Sequence, residues 1–128
     1  MDYSIPVSGL KLQSLRVSVS ANNIVNAGSL DSGRLPEKVP FTPSAVDAVS
    51  TEPGVRGSVY QLTTNTPLSA TGQASDFLQV FSSTGVNIEE ELVNQKLAVT
   101  AYKANAAVIR TFTELDDALL EIGTRDTK

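Results

Sequence analysis

From Asn94 onward the chain repeats uncharged residues at alternating spacings of four and three: Asn94, Ala98, Ala101, Asn105, Val108, Phe112, Leu115, Leu119 and Ile122. That mean period of about 3.5 residues keeps one seam of an α-helix turned toward a partner helix. A continuous helix from Ile88 to Ile122 is roughly 50 Å long at about 1.5 Å per residue. A chain of 128 residues cannot wrap both sides of such a rod. The seam must be closed by a second helix, from this chain or from a neighbour, and the pattern therefore points to assembly rather than to an enclosed pocket.

The start and end of that helix are also written in the sequence. Asn87 precedes the periodic run, and Glu89, Glu90 and Glu91 fill the first turn, where the helix dipole favours negative charge. This acidic trio reads as a helix N-terminus before it reads as a metal or substrate site. Gly123 and the polar run Thr124 to Lys128 mark the other end.

A second helix is expected near the N-terminus, from about Ser4 to Ala27. Leu10, Val17 and Ile24 are seven apart, as are Ile5, Leu12 and Val19, so two adjacent stripes make one broad apolar face. Pro6 suits a first helical turn, with Ser4 or the residue beside it as the cap. The alternation Val17-Ser18-Val19-Ser20-Ala21 also has the period of a strand. Asn22, Asn23, Asn26 and Gly28 are residues that end helices in a left-handed conformation.

Between the helices the character changes to Gly, Pro, Ser and Thr, with five of the six prolines lying between Ser29 and Thr84. Ser44–Ser50 and Val55–Thr64 flank Glu52-Pro53-Gly54, which predicts a β-hairpin closed by a type II turn. Asp76–Phe81 reads as a third short strand or an extended arm, and Asn65–Gln73 as an exposed loop. The expected architecture is α+β. Two long terminal helices, in residues 1–28 and 85–128, pair as a coiled coil, and residues 29–84 form a Pro/Gly-rich, hairpin-containing arm.

Composition narrows the chemistry. Apolar residues make up 41% of the chain, enough for a core, but aromatics only 5%, with no Trp. Contacts must rely on Leu, Val, Ile and Ala along helices. There is no Cys and no His, which removes the usual zinc sites, thiol nucleophiles and imidazole acid–base catalysts. The net charge of −4, with no cluster of Lys or Arg, argues against phosphate-directed binding of nucleic acid. The N-terminus shows no basic and apolar leader, and no stretch is apolar enough to span a bilayer.

Ser8-Gly9-Leu10-Lys11 has the Ser-x-x-Lys spacing of penicillin-recognising enzymes, but their Lys-Thr-Gly element is absent and their site needs a far larger fold. Glu114, Asp116, Asp117 and Glu121 fall mostly off the seam, as a solvated face does. Tyr102 reads as a packing ring with a hydrogen-bonding hydroxyl. Asn94 and Asn105, amides in an uncharged seam, are expected to fix helix register. No catalytic residue, cofactor, metal or small-molecule substrate is expected.

Two segments together carry a family resemblance. Ser8–Arg16 runs into Ala21-Asn22-Asn23-Ile24-Val25-Asn26, and Gly85-Val86-Asn87-Ile88 leads to Tyr102-Lys103-Ala104-Asn105. An Ala-Asn-Asn-Ile-x-Asn element in the first helix with Tyr-x-Ala-Asn in the last resembles the bacterial flagellar axial proteins of the rod and hook. The resemblance covers about half the chain, at both ends, and the short middle is similar to that of small proximal-rod subunits. Val25 stands where Ala is usual, Gly28-Ser29 where Asn-Thr is usual, and Pro6 interrupts a helix that is normally continuous.

The resemblance implies a structural, non-enzymatic subunit of the flagellar basal-body rod, packed helically into a tube that spans the periplasm and transmits torque. It implies copies of the same chain, other rod proteins and the flagellar type III export apparatus as partners, with export that uses no cleaved signal and no membrane insertion. A dimeric helical-hairpin adaptor or export chaperone is the competing class. Leu10, Leu12, Leu15, Val17, Val19, Asn22, Asn23, Ile24 and Asn26 of the first helix are the expected assembly residues on one side. On the other side stand Leu92, Asn94, Ala98, Ala101, Tyr102, Asn105, Val108, Ile109, Phe112, Leu115, Leu119 and Ile122.

Overall fold

The computed structural model describes residues 2–31, 39–62 and 84–125. Its elements run α1 (Ser4–Val25), β1 (Leu30–Asp31), β2 (Val39–Pro40), β3 (Ser44–Ser50), β4 (Val55–Gln61) and α2 (Ile88–Arg125). The fold is α+β: two helices and an antiparallel hairpin, with β1 and β2 forming a second, minimal antiparallel pair that the sequence pattern did not announce. The expected loop at Asn65–Gln73 and the expected strand or arm at Asp76–Phe81 lie outside the described residues.

Helix α1 opens at Tyr3, which makes no side-chain cap. The cap bond comes from one residue earlier, where Asp2 Oδ1 accepts the Ser4 backbone N–H at 2.9 Å as well as the Ser4 hydroxyl. Pro6 falls within the first turn, where a backbone N–H has no helical acceptor, so its missing donor costs nothing. The buried positions Pro6, Gly9, Leu12, Gln13, Ser20 and Asn23 recur at helical spacing, and the alternation at Val17–Ala21 is helix.

The end of α1 differs from the expectation. Among the described residues only Gly54 and Gly85 have positive φ, so neither the asparagines nor Gly28 supplies a left-handed cap. Instead the Asn22 carbonyl accepts both the Asn26 backbone N–H (3.1 Å) and the Asn26 side-chain amide (2.9 Å). The side chain thereby satisfies an end carbonyl that a left-handed residue would otherwise cover.

Helix α2 is 38 residues long, about 57 Å by its rise, against 22 residues and about 33 Å for α1. Asn87 caps it: its Oδ1 accepts the Glu90 N–H at 3.2 Å, and its carbonyl accepts the Glu91 N–H at 3.0 Å. The two helices lie antiparallel. Tyr3 meets Phe112 and Asp116, Gly9 meets Asn105, and Ser20 and Asn23 meet Glu91. Because Asp116 is already level with the start of α1, the rest of α2 projects about 13 Å beyond it.

The hairpin pairs Ser44 with Gln61 through Ser50 with Val55. Its loop is Thr51 to Gly54, with a cis Glu52–Pro53 bond and Gly54 at φ 103°. Strand β4 stops at Gln61, short of the expected Thr64. The hairpin lies on α1, where the missing side chain of Gly57 admits Leu15 and Leu12. The interior is thin. Among the described residues the buried hydrophobics are Leu12, Ala27 and Ala98, and the largest fully buried side chains are Asn23, Thr84 and Pro43.

Candidate assembly interface

Two faces of α2 must be told apart. Glu91, Gln95, Ala98, Asn105, Ile109, Phe112 and Asp116 are buried or half-buried at spacings of three, four and seven, and four of them touch α1 directly. This is the inner seam. At its far end the Tyr3 ring meets Phe112 edge-to-face at 5.8 Å, and the Tyr3 hydroxyl donates to Asp116 Oδ2 at 2.6 Å. That bond holds the phenol proton, so the Tyr3 pKa is raised above 10.0.

Asn105 sits in the inner seam, but its amide donates to the Ala101 carbonyl of its own helix at 3.0 Å. It packs against Gly9, where a Cβ would stand 2.7 Å from the Asn105 Nδ2. Asn94 is exposed. Among the described residues neither amide makes a hydrogen bond between the helices; Asn105 meets α1 through its packing on Gly9.

Asn23 of α1 makes that connection instead. It is 1% exposed and uses its whole amide: Nδ2 donates to the Ser44 carbonyl at 2.7 Å and to Glu91 Oε1 at 2.6 Å, while Oδ1 accepts the Ser44 N–H at 3.0 Å. One side chain therefore joins α1, the first residue of β3 and the first turn of α2. The Ser20 hydroxyl adds a bond to the Glu91 carbonyl at 2.9 Å, and buried Thr84 donates to the Ala27 carbonyl at 2.7 Å. The acidic trio expected to be only a helix start thus contributes Glu91 as an acceptor for Asn23.

The second face of α2 has no partner within the described residues. Leu97 (63% exposed), Val108 (42%), Leu115 (45%), Leu119 (60%) and Ile122 (61%) lie on one side of the helix together with Asn94, Ala101 and Ala104. The charges Glu89, Lys96, Lys103, Arg110, Glu114, Asp117 and Glu121 gather on another side. At about 100° per residue, a sector roughly 120° wide carries no charged residue from Leu92 to Thr124. An exposed apolar stripe of this length is unusual for a surface that faces only water.

The expected assembly residues divide between these faces. In α1, Leu12 and Asn23 are buried, Asn22 is exposed, and Leu10, Leu15, Val17, Val19 and Ile24 are half-buried, as is Asn26 just past its end. In α2, Ala98 is buried and Ala101, Asn105, Ile109 and Phe112 are half-buried, while Leu92, Asn94, Tyr102, Val108, Leu115, Leu119 and Ile122 are exposed. The 3.5-residue pattern had merged an inner seam with the flank of an outer one. Leu97, four residues before Ala101, belongs to the outer face and was legible by that spacing.

Near the start of α2 the outer face runs into a groove of about 710 Å³. Gln13, Arg16 and Val19 of α1, Asn94, Leu97 and Ala101 of α2, and Tyr60 and Leu62 of the hairpin side line it. Gln13 is 8% exposed, and among the described residues its Oε1 accepts no hydrogen bond. Elsewhere, the Ser8 hydroxyl donates to the Ile5 carbonyl at 2.7 Å and accepts the Val55 N–H at 3.0 Å, so it is held in a helix-to-hairpin contact.

Among the described residues no three acidic side chains gather as a metal site, and no described helix is long and apolar enough to cross a membrane. No protein-family model and no curated protein matches this chain.

Proposed function

We propose that this protein is a structural subunit of a bacterial flagellar rod, which polymerises by helix packing into the axial tube and performs no catalysis. The observation that carries the reading is the outer face of α2, uncharged and exposed along nearly the whole helix while the inner seam is already occupied by α1. A small subunit with so thin an interior gains stability by covering that face, at about 25 cal/mol per Å² of apolar surface removed from water. In the proposed assembly the α1–α2 pair is a coiled-coil unit stacked against its neighbours, and the hairpin lies between stacks. The motifs Ala21–Asn26 and Tyr102–Asn105 support the family assignment. Other rod proteins and the type III export apparatus are the proposed partners, in the periplasm-spanning part of the basal body.

Light scattering across a concentration series, with circular dichroism as the control for folding, tests this. Wild-type protein grows into particles larger than a dimer at high concentration, and a Val108→Glu/Leu115→Glu variant does not. Association that stops at a dimer under all conditions favours the adaptor class instead. A compact monomer indifferent to both charges overturns the assembly reading.

A further inference from the structure

The outer face of α2 reads the same in both directions. Counted from Val108, its members stand at offsets of seven, eleven and fourteen on either side: Ala101 and Leu115, Leu97 and Leu119, Asn94 and Ile122, with Ala104 at an offset of four on one side alone. Two copies of α2 laid antiparallel with Val108 on Val108 therefore set each paired member opposite its counterpart. Ala101 then faces Leu115, so a small residue admits a large one as helix packing requires.

Geometry at the ends agrees with this register. The part of α2 that projects past α1 carries Leu119, Leu120 and Ile122 at 60%, 68% and 61% exposure. Antiparallel pairing delivers that projection to the partner's Asn94 and Leu97, on the α2 wall of the 710 Å³ groove in which Gln13 Oε1 accepts no hydrogen bond from the described residues. Each copy fills the other's groove, and the contact closes on itself.

We propose that the free subunit is a closed, two-fold dimer of this kind, its occupant a second copy of this chain. The inference shares with the rod reading only the claim that the outer face is covered. It goes further in stating that a closed pair hides the face until assembly begins, since an isologous contact cannot propagate into a filament.

The chain has no cysteine, so introduced thiols report cleanly. Val108→Cys alone crosslinks into a disulfide dimer on mild oxidation, because Val108 lies on the two-fold axis. Leu97→Cys alone and Leu119→Cys alone do not, but Leu97→Cys/Leu119→Cys gives a dimer that grows no further. Those two positions are about 33 Å apart along one helix, far beyond disulfide reach within a copy. A ladder of higher species from the double variant, with Val108→Cys uncrosslinked, overturns the closed pair and leaves open-ended assembly standing. Absence of crosslinks from protein that still scatters as an oligomer also overturns the pair. Absence of crosslinks from a monomer overturns both readings.

Discussion

At the residue scale, stability concentrates in polar side chains that join elements. Asn23 is the clearest case, since its amide leaves no donor or acceptor unused and its partners come from β3 and α2. Removing it leaves half-buried groups of Ser44 and Glu91 without their partner rather than merely deleting a contact. Asn23→Ala is expected to cost about 2–4 kcal/mol in urea unfolding and to speed amide exchange at Ser44. Its exposed neighbour is the control: Asn22→Ala should stay within about 0.5 kcal/mol. Equal effects at the two positions would contradict the role given to Asn23. Tyr3 supplies a pH test. The Asp116 hydrogen bond favours the neutral phenol and raises its folded-state pKa above 10.0. The stability it confers is complete below the unfolded pKa and is lost as pH rises through the folded one. Wild type should thus exceed Tyr3→Phe in stability at neutral pH, with the gap closing in strong alkali. Phenolate absorbance in which all three tyrosines titrate at the ordinary value would contradict this.

At the element scale, glycine decides how closely the parts approach. Gly54 combines φ 103° with a Cβ position already occupied by the Ser8 hydroxyl, so Gly54→Ala is expected to lose about 1–3 kcal/mol and loosen the hairpin from α1. Gly123 has no atom within 4 Å of its would-be Cβ and lies in a helix, so Gly123→Ala should gain about 0.5–1 kcal/mol. Thermal unfolding of the two variants checks the opposite signs. Both helices and the hairpin were legible because each rests on local signals: heptad spacing, the Asn87 cap, and apolar runs around Pro53-Gly54. Details set by tertiary contact were not. The β1–β2 pair and the amide contacts of Asn23 depend on neighbours that no periodicity records. One helix carries two faces about a quarter-turn apart, and only the position of α1 separates them. Asn23 was named for an interface with other copies; the structure gives it a role within the subunit.

At the scale of the whole molecule, the exposed outer face and the thin interior have one physical reading. Burial that the subunit lacks by itself is supplied when α2 meets another helix, so folding stability and association are linked. Protein concentration should therefore raise the melting temperature of the wild type and leave Val108→Glu/Leu115→Glu unmoved, as differential scanning calorimetry at two concentrations would show. The measurement that bears most directly on this account is sedimentation velocity of the wild type and that variant over a concentration series. The account predicts a wild type heavier than a monomer, with mass rising with concentration, and a variant that sediments as a folded monomer. A wild type that remains a monomer throughout, or a variant that associates as readily as the wild type, would contradict it.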